Sequence, residues 1–180
     1  MEEQKRNQMN LMARECMVSA LTQLLETKPL SEISVTEITN KAGVSRMTYY
    51  RNYHSKEEII SSYLEDIFKA FREDTASAVE KGGFFQDYEN ILYCVHFFEK
   101  HQHFVRSLYR SGMGDLMMQS MTSYILGTYY TEDKGLVYYY KLQALAGSLY
   151  TIYIAWILRD TRDSAENMSQ IIYDIYQQVL

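Results

Sequence analysis

The chain has 180 residues, of which 47% are apolar and 23% are charged. This length suits one compact domain or a small domain joined to a larger one, and the composition excludes a disordered chain. The net charge of -5 at pH 7 argues against a nucleic-acid-binding surface spread over the whole molecule.

The charge is unevenly distributed along the chain. Residues 1–60 carry eight basic and eight acidic residues, so the acidic excess belongs to the remainder. No acidic residue lies between Glu37 and Glu57, a window that contains two arginines, two lysines and a histidine. A local basic patch can bind phosphate groups, while the acidic remainder limits unspecific association. The window is therefore a candidate nucleic-acid-binding surface.

The chain has only one proline and eight glycines, the residues that most often form turns. Their scarcity favours long helices over many short elements. The first helix is expected from Met9 to Thr27, before Pro29. Its apolar face would comprise the residues that recur at helical spacing, namely Met9, Met12, Ala13, Cys16, Met17, Ala20, Leu21 and Leu24. Cys16 and Cys94 both fall in apolar helical patterns and are expected to be reduced core thiols, as in a cytoplasmic protein.

Neither a targeting segment nor a membrane span is predicted. The first ten residues, MEEQKRNQMN, contain no apolar stretch of the kind a secretory signal needs. The most apolar segment, residues 142–158, is shorter than the ~20 residues of a membrane span. We expect it to be a buried helix of a cytoplasmic protein without a membrane partner.

Two capping boxes frame the basic window, Ser34–Glu37 and Ser55–Glu58. Between them, Gly43 can end one short helix in a left-handed conformation, and Ser45 can cap the next. The expected order is a short helix, a tight turn, a second short helix, and a long helix from the second box to about Glu80.

This order is that of a helix-turn-helix, in which two short helices cross steeply around a tight turn. The first short helix has Val35, Ile38 and Ala42 for the interior, and Val44 and Tyr49 can anchor the second from behind. The forward face of the second helix carries mainly polar residues, namely Ser45, Arg46, Thr48 and Tyr50.

Residues 33–59 resemble the DNA-binding domain of the tetracycline-repressor (TetR) family of transcriptional regulators. The likeness consists of the Ile33-x-Val-x-x-Ile opening, the Ala-Gly-Val-Ser turn, the Thr-Tyr-Tyr core, and the Tyr-x-Ser-Lys-Glu-Glu run into the long helix. It covers about the first 65 residues of the sequence, and the C-terminal part is similar to the family only in helical layout.

The resemblance implies contacts with operator DNA. The start of the second helix would face base edges in the major groove, where the Arg46 guanidinium matches the two acceptors of guanine. The Tyr50 hydroxyl would donate to a phosphate, and the helix N-termini and basic side chains nearby would contact further phosphates. The predicted DNA-binding surface comprises Ser34, Thr36, Ser45, Arg46, Met47, Thr48, Tyr50, Arg51, His54 and Lys56.

We therefore expect an all-α fold of about nine helices. It would contain a three-helix DNA-binding domain at residues 1–54, a linking fourth helix at 55–83, and a helical effector and dimerisation domain at 84–180. The clearest break is Lys81-Gly82-Gly83. Beyond it, helices are expected at Gln86–Lys100, Gln102–Arg110, Asp115–Tyr130, Leu136–Leu158 and Ser164–Val179.

A two-fold operator calls for a dimer. Small residues spaced four, three and four apart form a narrow seam on the helix at 136–158, and the last helix carries an apolar stripe. Two such helices from each chain would form a four-helix bundle, although both stripes could instead pack within the monomer. The predicted interface comprises Ala144, Ser148, Thr151, Ala155, Met168, Ile171, Ile172, Ile175 and Val179.

The resemblance also implies a pocket for a small apolar or aromatic effector in the C-terminal domain. Aromatic and methionine side chains at helical spacing more often form ordinary core, and no charged residue stands out as an anchor for a ligand. The predicted pocket comprises Tyr93, Phe97, Met117, Met121, Tyr124, Tyr150 and Trp156.

The sequence thus predicts a homodimeric transcriptional regulator, expected to be a repressor, that binds a near-palindromic operator. One alternative is a co-regulator or activator of the same fold that acts through a protein partner. Another is an enzyme or metal sensor built on the cluster Cys94, His96, Glu99, His101 and His103. That spacing is not a standard zinc pattern and no catalytic set is present, so no enzyme, metal site or cofactor is predicted.

Overall fold

The computed structural model describes residues 2–159 and 163–179, with the side chains of residues 7–159 and 163–177. Within these ranges the regular structure is entirely helical, which confirms the expected all-α fold. The α-helices are α1 Glu2–Leu25, α2 Val35–Ala42, α3 Arg46–Asn52, α4 Lys56–Glu80, α5 Tyr88–Glu99, α6 Gln102–Arg110, α7 Gly114–Tyr129, α8 Gly135–Leu158 and α9 Ala165–Val179. Short 3-10 helices lie at Leu30–Glu32, Phe84–Gln86 and Glu132–Lys134.

The chain forms two compact units. The first comprises the chain up to Asp66 together with Ser107–Leu116, and the second comprises Ile67–Arg106 and the chain from Met117 onward. Their boundary falls inside α4 rather than at the sequence boundaries of residues 54 and 83. Glycines and capping residues mark where helices end, whereas packing defines a compact unit. One continuous helix such as α4 can therefore contribute residues to both units.

The first helix is longer than predicted, because α1 already begins at Glu2. Its buried residues lie in the C-terminal half, which packs against α2. They are Met17, Val18, Ala20, Leu21 and Leu25. Met9, Met12 and Cys16 are exposed, so the prediction that they face the interior, with Cys16 as a core thiol, is wrong. Helical spacing identifies a common face but not how far along the helix a neighbour covers it.

The turn between α2 and α3 forms as the sequence predicts. The Ser34 hydroxyl accepts the N–H of Glu37 at 3.2 Å, and the Glu37 carboxylate accepts the N–H of Ser34 at 2.9 Å. Gly43 ends α2 with φ 68° and ψ 27°, a left-handed conformation that costs other residues roughly 1–2 kcal/mol. The Ser45 hydroxyl then accepts the N–H of Thr48 at 3.0 Å and caps α3.

The second capping box forms only in part. The Ser55 hydroxyl accepts the N–H of Glu58 at 3.1 Å, as expected at the start of α4. The Glu58 carboxylate instead accepts the N–H of His54, one residue before the cap. The box therefore also holds the segment that leads from α3 into α4.

Aromatic side chains fill the interior of the second unit, in which α5 packs against α9. The ring of Phe71 lies 5.0, 5.1 and 5.4 Å, centroid to centroid, from the rings of Phe97, Phe98 and Tyr124. The buried Trp156 indole donates its N–H to the carbonyl of Asp163 at 2.9 Å.

Across the described ranges, none of the helices has an apolar stretch long enough to cross a membrane.

Candidate nucleic-acid interface

The rear face of α3 is anchored by two tyrosines. Tyr49 and Tyr53 are only 1% and 2% exposed, and their ring centroids lie 6.1 Å apart. Burial raises the pKa of the Tyr49 hydroxyl, so it stays neutral at physiological pH. The predicted anchor Tyr49 is confirmed, Val44 is half-buried, and Tyr53 is an anchor that the sequence pattern did not identify.

Arg14 connects three helices of the first unit. From α1, its Nε donates to the Tyr53 hydroxyl at 3.3 Å, and its Nη2 lies 2.8 Å from the carboxylate of Asp66 on α4. The hydrogen bond to Tyr53 raises the pKa of Arg14. The partners are 39 and 52 residues away in sequence, so no local pattern could indicate this contact. Arg14 therefore fixes the C-terminal end of α3 against its support.

The forward face of α3 is open to solvent. Arg46, Met47, Tyr50 and Arg51 are all exposed and occupy one side of the helix, with Met47 77% and Tyr50 60% exposed. Thr48 is half-buried, and its hydroxyl lies 2.9 Å from that of Ser45. An exposed methionine and tyrosine between two arginines can contact both the apolar and the charged parts of a ligand.

The charged side chains of the basic window between Glu37 and Glu57 form no ion pairs with one another or with other described residues. Among residues 38–56, all of them described, no side chain forms a salt bridge, and Lys41, Arg46, Arg51 and His54 are exposed. The positive charge of the forward face is thus available to an anionic partner.

The N-terminus of α2 flanks this face and carries Ser34 and Thr36. Ser34 is exposed, but both its N–H and its hydroxyl donate to the Glu37 carboxylate, which also pairs with Lys28. The hydrogen bond from Lys28, followed by those from Ser34, lowers the pKa of Glu37 to about 2. Contacts of Ser34 and Thr36 with phosphate remain predictions, and in the structure Ser34 first serves the cap.

Lys56 has a structural role that the sequence did not indicate. Its ammonium donates to the carbonyls of Leu30 and Ile33, each at 2.6 Å, and so closes the 3-10 helix before α2. An ammonium has three donors, so one remains for a phosphate. The predicted phosphate contact of Lys56 stays a prediction.

A cavity of about 60 Å³ lies inside the second unit. The predicted residues Met121, Tyr124 and Trp156 line it, together with Phe68, Phe71, Phe98, Ile125, Met168 and Ile172, among others. The remaining four predicted residues do not line it, namely Tyr93, Phe97, Met117 and Tyr150. The Tyr93 hydroxyl, for example, donates to Asp74 near the surface. Helical spacing shows which residues share a face, but the neighbouring helices decide which of them meet around a cavity.

The wall of this cavity has few polar groups, and its tyrosine hydroxyls have partners within the protein. The Tyr153 hydroxyl donates to the Phe98 carbonyl at 2.8 Å, and the Tyr124 hydroxyl lies 3.4 Å from that of Thr75. Burial raises the pKa of the Cys94 thiol to about 12, so it is not a reactive thiolate at neutral pH. The cavity suits an apolar group.

The residues predicted to form the dimer surface are exposed only in part. On α8, Ala144, Thr151 and Ala155 are exposed, while the half-buried Ser148 hydroxyl lies 2.6 Å from that of Tyr176.

On α9, Ile171 and Ile175 are exposed. Met168 and Ile172 are buried and line the inner cavity, so their assignment to a surface stripe is corrected. The side chain of Val179 lies outside the described residues. The exposed part of the predicted surface on α9 therefore lies beside the positions that build the core, on the adjoining side of the helix.

In the histidine-rich segment, the His96 imidazole lies near two carboxylates. His96 Nδ1 lies 3.5 Å from the carboxylate of Glu99, and its Nε2 lies 3.7 Å from that of Glu166 on α9. Burial lowers the pKa of His101. In the described part of the chain, no three potential ligands lie close enough together to hold a metal ion.

Comparison with known proteins gives a sequence relative and several structural neighbours. The chain is 40% identical over 68 residues to the HTH-type transcriptional regulator EthR of Mycolicibacterium smegmatis, a match that covers 37% of this chain and 31% of that regulator. No protein-family model matches the chain.

Solved structures share the fold over nearly the whole chain. A TetR transcriptional regulator from Streptococcus agalactiae 2603V aligns with a TM-score of 0.65 at 18% identity, covering 96% of this chain and 98% of its own. The dihydroxyacetone kinase operon activator DhaS aligns with a TM-score of 0.60 at 16% identity over 94% and 96% of the two chains. A TetR transcriptional regulator from Rhodococcus sp. RHA1 aligns with a TM-score of 0.54 at 16% identity over 93% and 96%.

The local sequence match and the shared fold agree with the capped helix-turn-helix formed by α2 and α3. The chain has the fold of solved TetR transcriptional regulators, and over 68 residues its sequence is similar to that of an HTH-type transcriptional regulator.

Proposed function

We propose that this chain is a homodimeric transcriptional regulator that binds operator DNA by inserting α3 into the major groove. The observation that carries the proposal is the division of α3 into two faces. Tyr49 and Tyr53 are buried behind it, whereas Arg46 and Tyr50 are exposed and belong to a segment, residues 38–56, without acidic residues. A recognition helix needs this combination of a rigid support and a free polar face.

In this proposal, the exposed residues of α3 make different kinds of contact with DNA. Arg46, in the first turn of α3, is placed for a bidentate contact with guanine, and Met47 beside it for an apolar contact such as a thymine methyl group. The Tyr50 hydroxyl, one turn further on, donates to a phosphate. Arg51 and His54 add phosphate contacts that set orientation and salt dependence. The function is one of binding, and no catalytic step is required of these residues.

A dimer would place two copies of α3 on a near-palindromic operator. The exposed small residues of α8, together with Ile171 and Ile175 of α9, supply a surface on which a second chain could pack. Repression follows if the bound dimer blocks access to a promoter, and an effector that binds the second unit would release it.

A decisive test is a gel shift with the DNA upstream of the chain's own gene. The wild type should form a complex whose affinity falls steeply with salt, since phosphate contacts release counterions. Arg46→Ala should weaken it by about 1–3 kcal/mol and relax the preference for one base pair. Lys69→Ala, an exposed lysine of the second unit, is the matched control. Unchanged binding by Arg46→Ala at moderate salt would refute the contact assignment.

The direction of regulation needs its own test. The structural neighbour DhaS is described as an operon activator, so the fold is compatible with activation as well as repression. A reporter fused to the operator should rise when the gene is deleted if the chain is a repressor. A fall would favour the alternative of an activator acting through a protein partner.

A further inference from the structure

A second cavity, of about 270 Å³, opens between the 3-10 helix Phe84–Gln86, the end of α7 and the beginning of α8. We call it the outer groove, and the 60 Å³ cavity the inner cavity. Aromatic and aliphatic side chains form most of the groove wall, among them Phe84, Phe85, Tyr138 and Leu142. All these residues belong to the second unit.

The outer groove contains one positive charge that none of the described residues neutralises. Lys141 lines it, no acidic residue does, and within the described chain Lys141 forms no ion pair or hydrogen bond. The neighbouring Lys134 is occupied, because its ammonium donates to the Tyr129 carbonyl at 2.8 Å and lies 5.0 Å from the ring centroid of Tyr138. The groove therefore attracts a single negative charge.

Tyr129 provides a second polar group in the groove. Its side chain is half-buried, and the described residues offer its hydroxyl no hydrogen-bond partner. Burial raises the pKa of this hydroxyl, which keeps it protonated as a donor at neutral pH. An ammonium and a neutral hydroxyl donor together match a carboxylate.

Phe85 links the two spaces, because it lines both the outer groove and the inner cavity. Its ring centroid lies 6.1 Å from that of Tyr129 and 5.9 Å from that of Tyr176. It follows two glycines of positive φ, Gly82 and Gly83, whose backbone is less restricted than that of other residues. Each space alone falls below the about 300–1,000 Å³ of typical ligand sites, so a ligand that uses both must pass this ring.

We propose that the outer groove binds a small monocarboxylate with an apolar tail, with the carboxylate at Lys141 and Tyr129 and the tail directed past Phe85 into the inner cavity. A cationic amphiphile is repelled by Lys141, and a neutral one gains only the apolar contacts. Binding itself does not depend on the proposed function, and only the description of this ligand as the effector rests on it.

The test uses the full-length protein and three probes of equal tail length, octanoate, octanamide and octylammonium. Calorimetry measures affinity, and the emission of Trp156, the chain's sole tryptophan, reports on the inner cavity that it lines. Octanoate should bind in the millimolar range or tighter and change this emission, octanamide should bind about five- to tenfold more weakly, and octylammonium weakest. Absence of octanoate binding, or equal affinity for octanamide, would overturn the proposal.

Two variants separate the ammonium from general effects of charge. Lys141→Gln should lower the affinity for octanoate about five- to tenfold and leave that for octanamide unchanged. Lys69→Gln, which removes an exposed lysine elsewhere in the second unit, should change neither. Equal losses in the two variants would show that net charge alone is responsible, and octanoate binding without a change in Trp156 emission would overturn the path past Phe85.

DNA binding is measured separately, so the two proposals can fail independently. If octanoate binds and releases operator DNA, both stand. If octanoate binds but operator complexes persist, the site stands and its role as effector site fails. If the chain binds no operator under any condition, the proposed function fails while the calorimetric result still decides the site.

Discussion

Tyr50 and Tyr53 lie three residues apart at the end of α3 and have opposite environments. Tyr50 is exposed, whereas the Tyr53 ring is buried and its hydroxyl accepts a hydrogen bond from Arg14. The same side-chain chemistry therefore serves two purposes: Tyr53 supports α3, and Tyr50 is free for the DNA contact proposed for it. Removing each hydroxyl separates these roles.

Tyr53→Phe should destabilise the protein by about 1 kcal/mol, because Arg14 loses one acceptor while keeping Asp66. Urea unfolding followed by circular dichroism measures this change. Tyr50→Phe is the matched variant, and we expect it to leave stability unchanged but to weaken operator binding. Equal stability of Tyr53→Phe and the wild type would show that Arg14 does not hold α3 through this hydroxyl.

At the scale of the element, the N-terminus of α2 is capped by the Glu37 carboxylate, and this cap should weaken when the carboxylate is protonated at low pH. Glu37 accepts hydrogen bonds from Lys28 and Ser34, which lower its pKa from 4.5 to about 2. A carboxylate whose pKa is depressed by folding contributes stability that is complete above its unfolded pKa and is lost as the pH falls towards its folded pKa. The contribution should therefore vanish between about pH 4.5 and about pH 2.

The comparison of wild type with Glu37→Gln tests this dependence. Glu37→Gln should be less stable at pH 7, and the difference in unfolding free energy should shrink as the pH falls from 4.5 towards 2, in a series of urea titrations. Glu57→Gln, which removes an exposed carboxylate in the first turn of α4, should show no comparable convergence. A difference that stays constant with pH would mean that the glutamate acts through its shape rather than its charge.

The turn that follows α2 is an example of a feature that a short stretch of sequence determines. Gly43 adopts φ 68° with no atom within 4 Å of the position that a Cβ would take, so only its backbone conformation requires glycine. Ser34 and Ser45, which precede α2 and α3, each cap their helix by accepting the N–H of the residue three positions further on. Such features depend on near neighbours in the sequence, which is why the pattern predicted them correctly.

At the scale of the whole molecule, α8 presents a long exposed face. Its small residues Ala144, Thr151 and Ala155 are exposed, and towards its N-terminal end Val137 and Tyr140 are 74% and 61% exposed. Exposed apolar side chains in such a row are typical of a surface that packs against another chain. The proposed homodimer would cover the part of this face that carries the small residues, which lie C-terminal to Lys141.

Ala155→Glu should shift the protein from dimer to monomer, because a buried carboxylate without a partner opposes association. Light scattering coupled to size exclusion gives the mass directly. Ser123→Glu, an equivalent change at an exposed position of α7, is the control and should leave the mass unchanged. A dimeric Ala155→Glu would place the interface elsewhere on the molecule.

The amino-acid sequence by itself determined the helical class, the turn at Gly43, the caps at Ser34 and Ser45, and the burial of Tyr49. Each follows from backbone preferences, hydrogen bonds within one helical turn, or the periodicity of apolar residues.

Only the tertiary structure decided which side chains meet across distant parts of the chain. It placed Arg14 on Tyr53, engaged Lys56 with two carbonyls, exposed Cys16, and turned Met168 and Ile172 into the core. These outcomes depend on how far one helix covers another and on the rotation of each helix about its axis. Helical periodicity defines a face but leaves its partner open, and the partner determines whether a residue supports the fold, lines a cavity or meets a ligand.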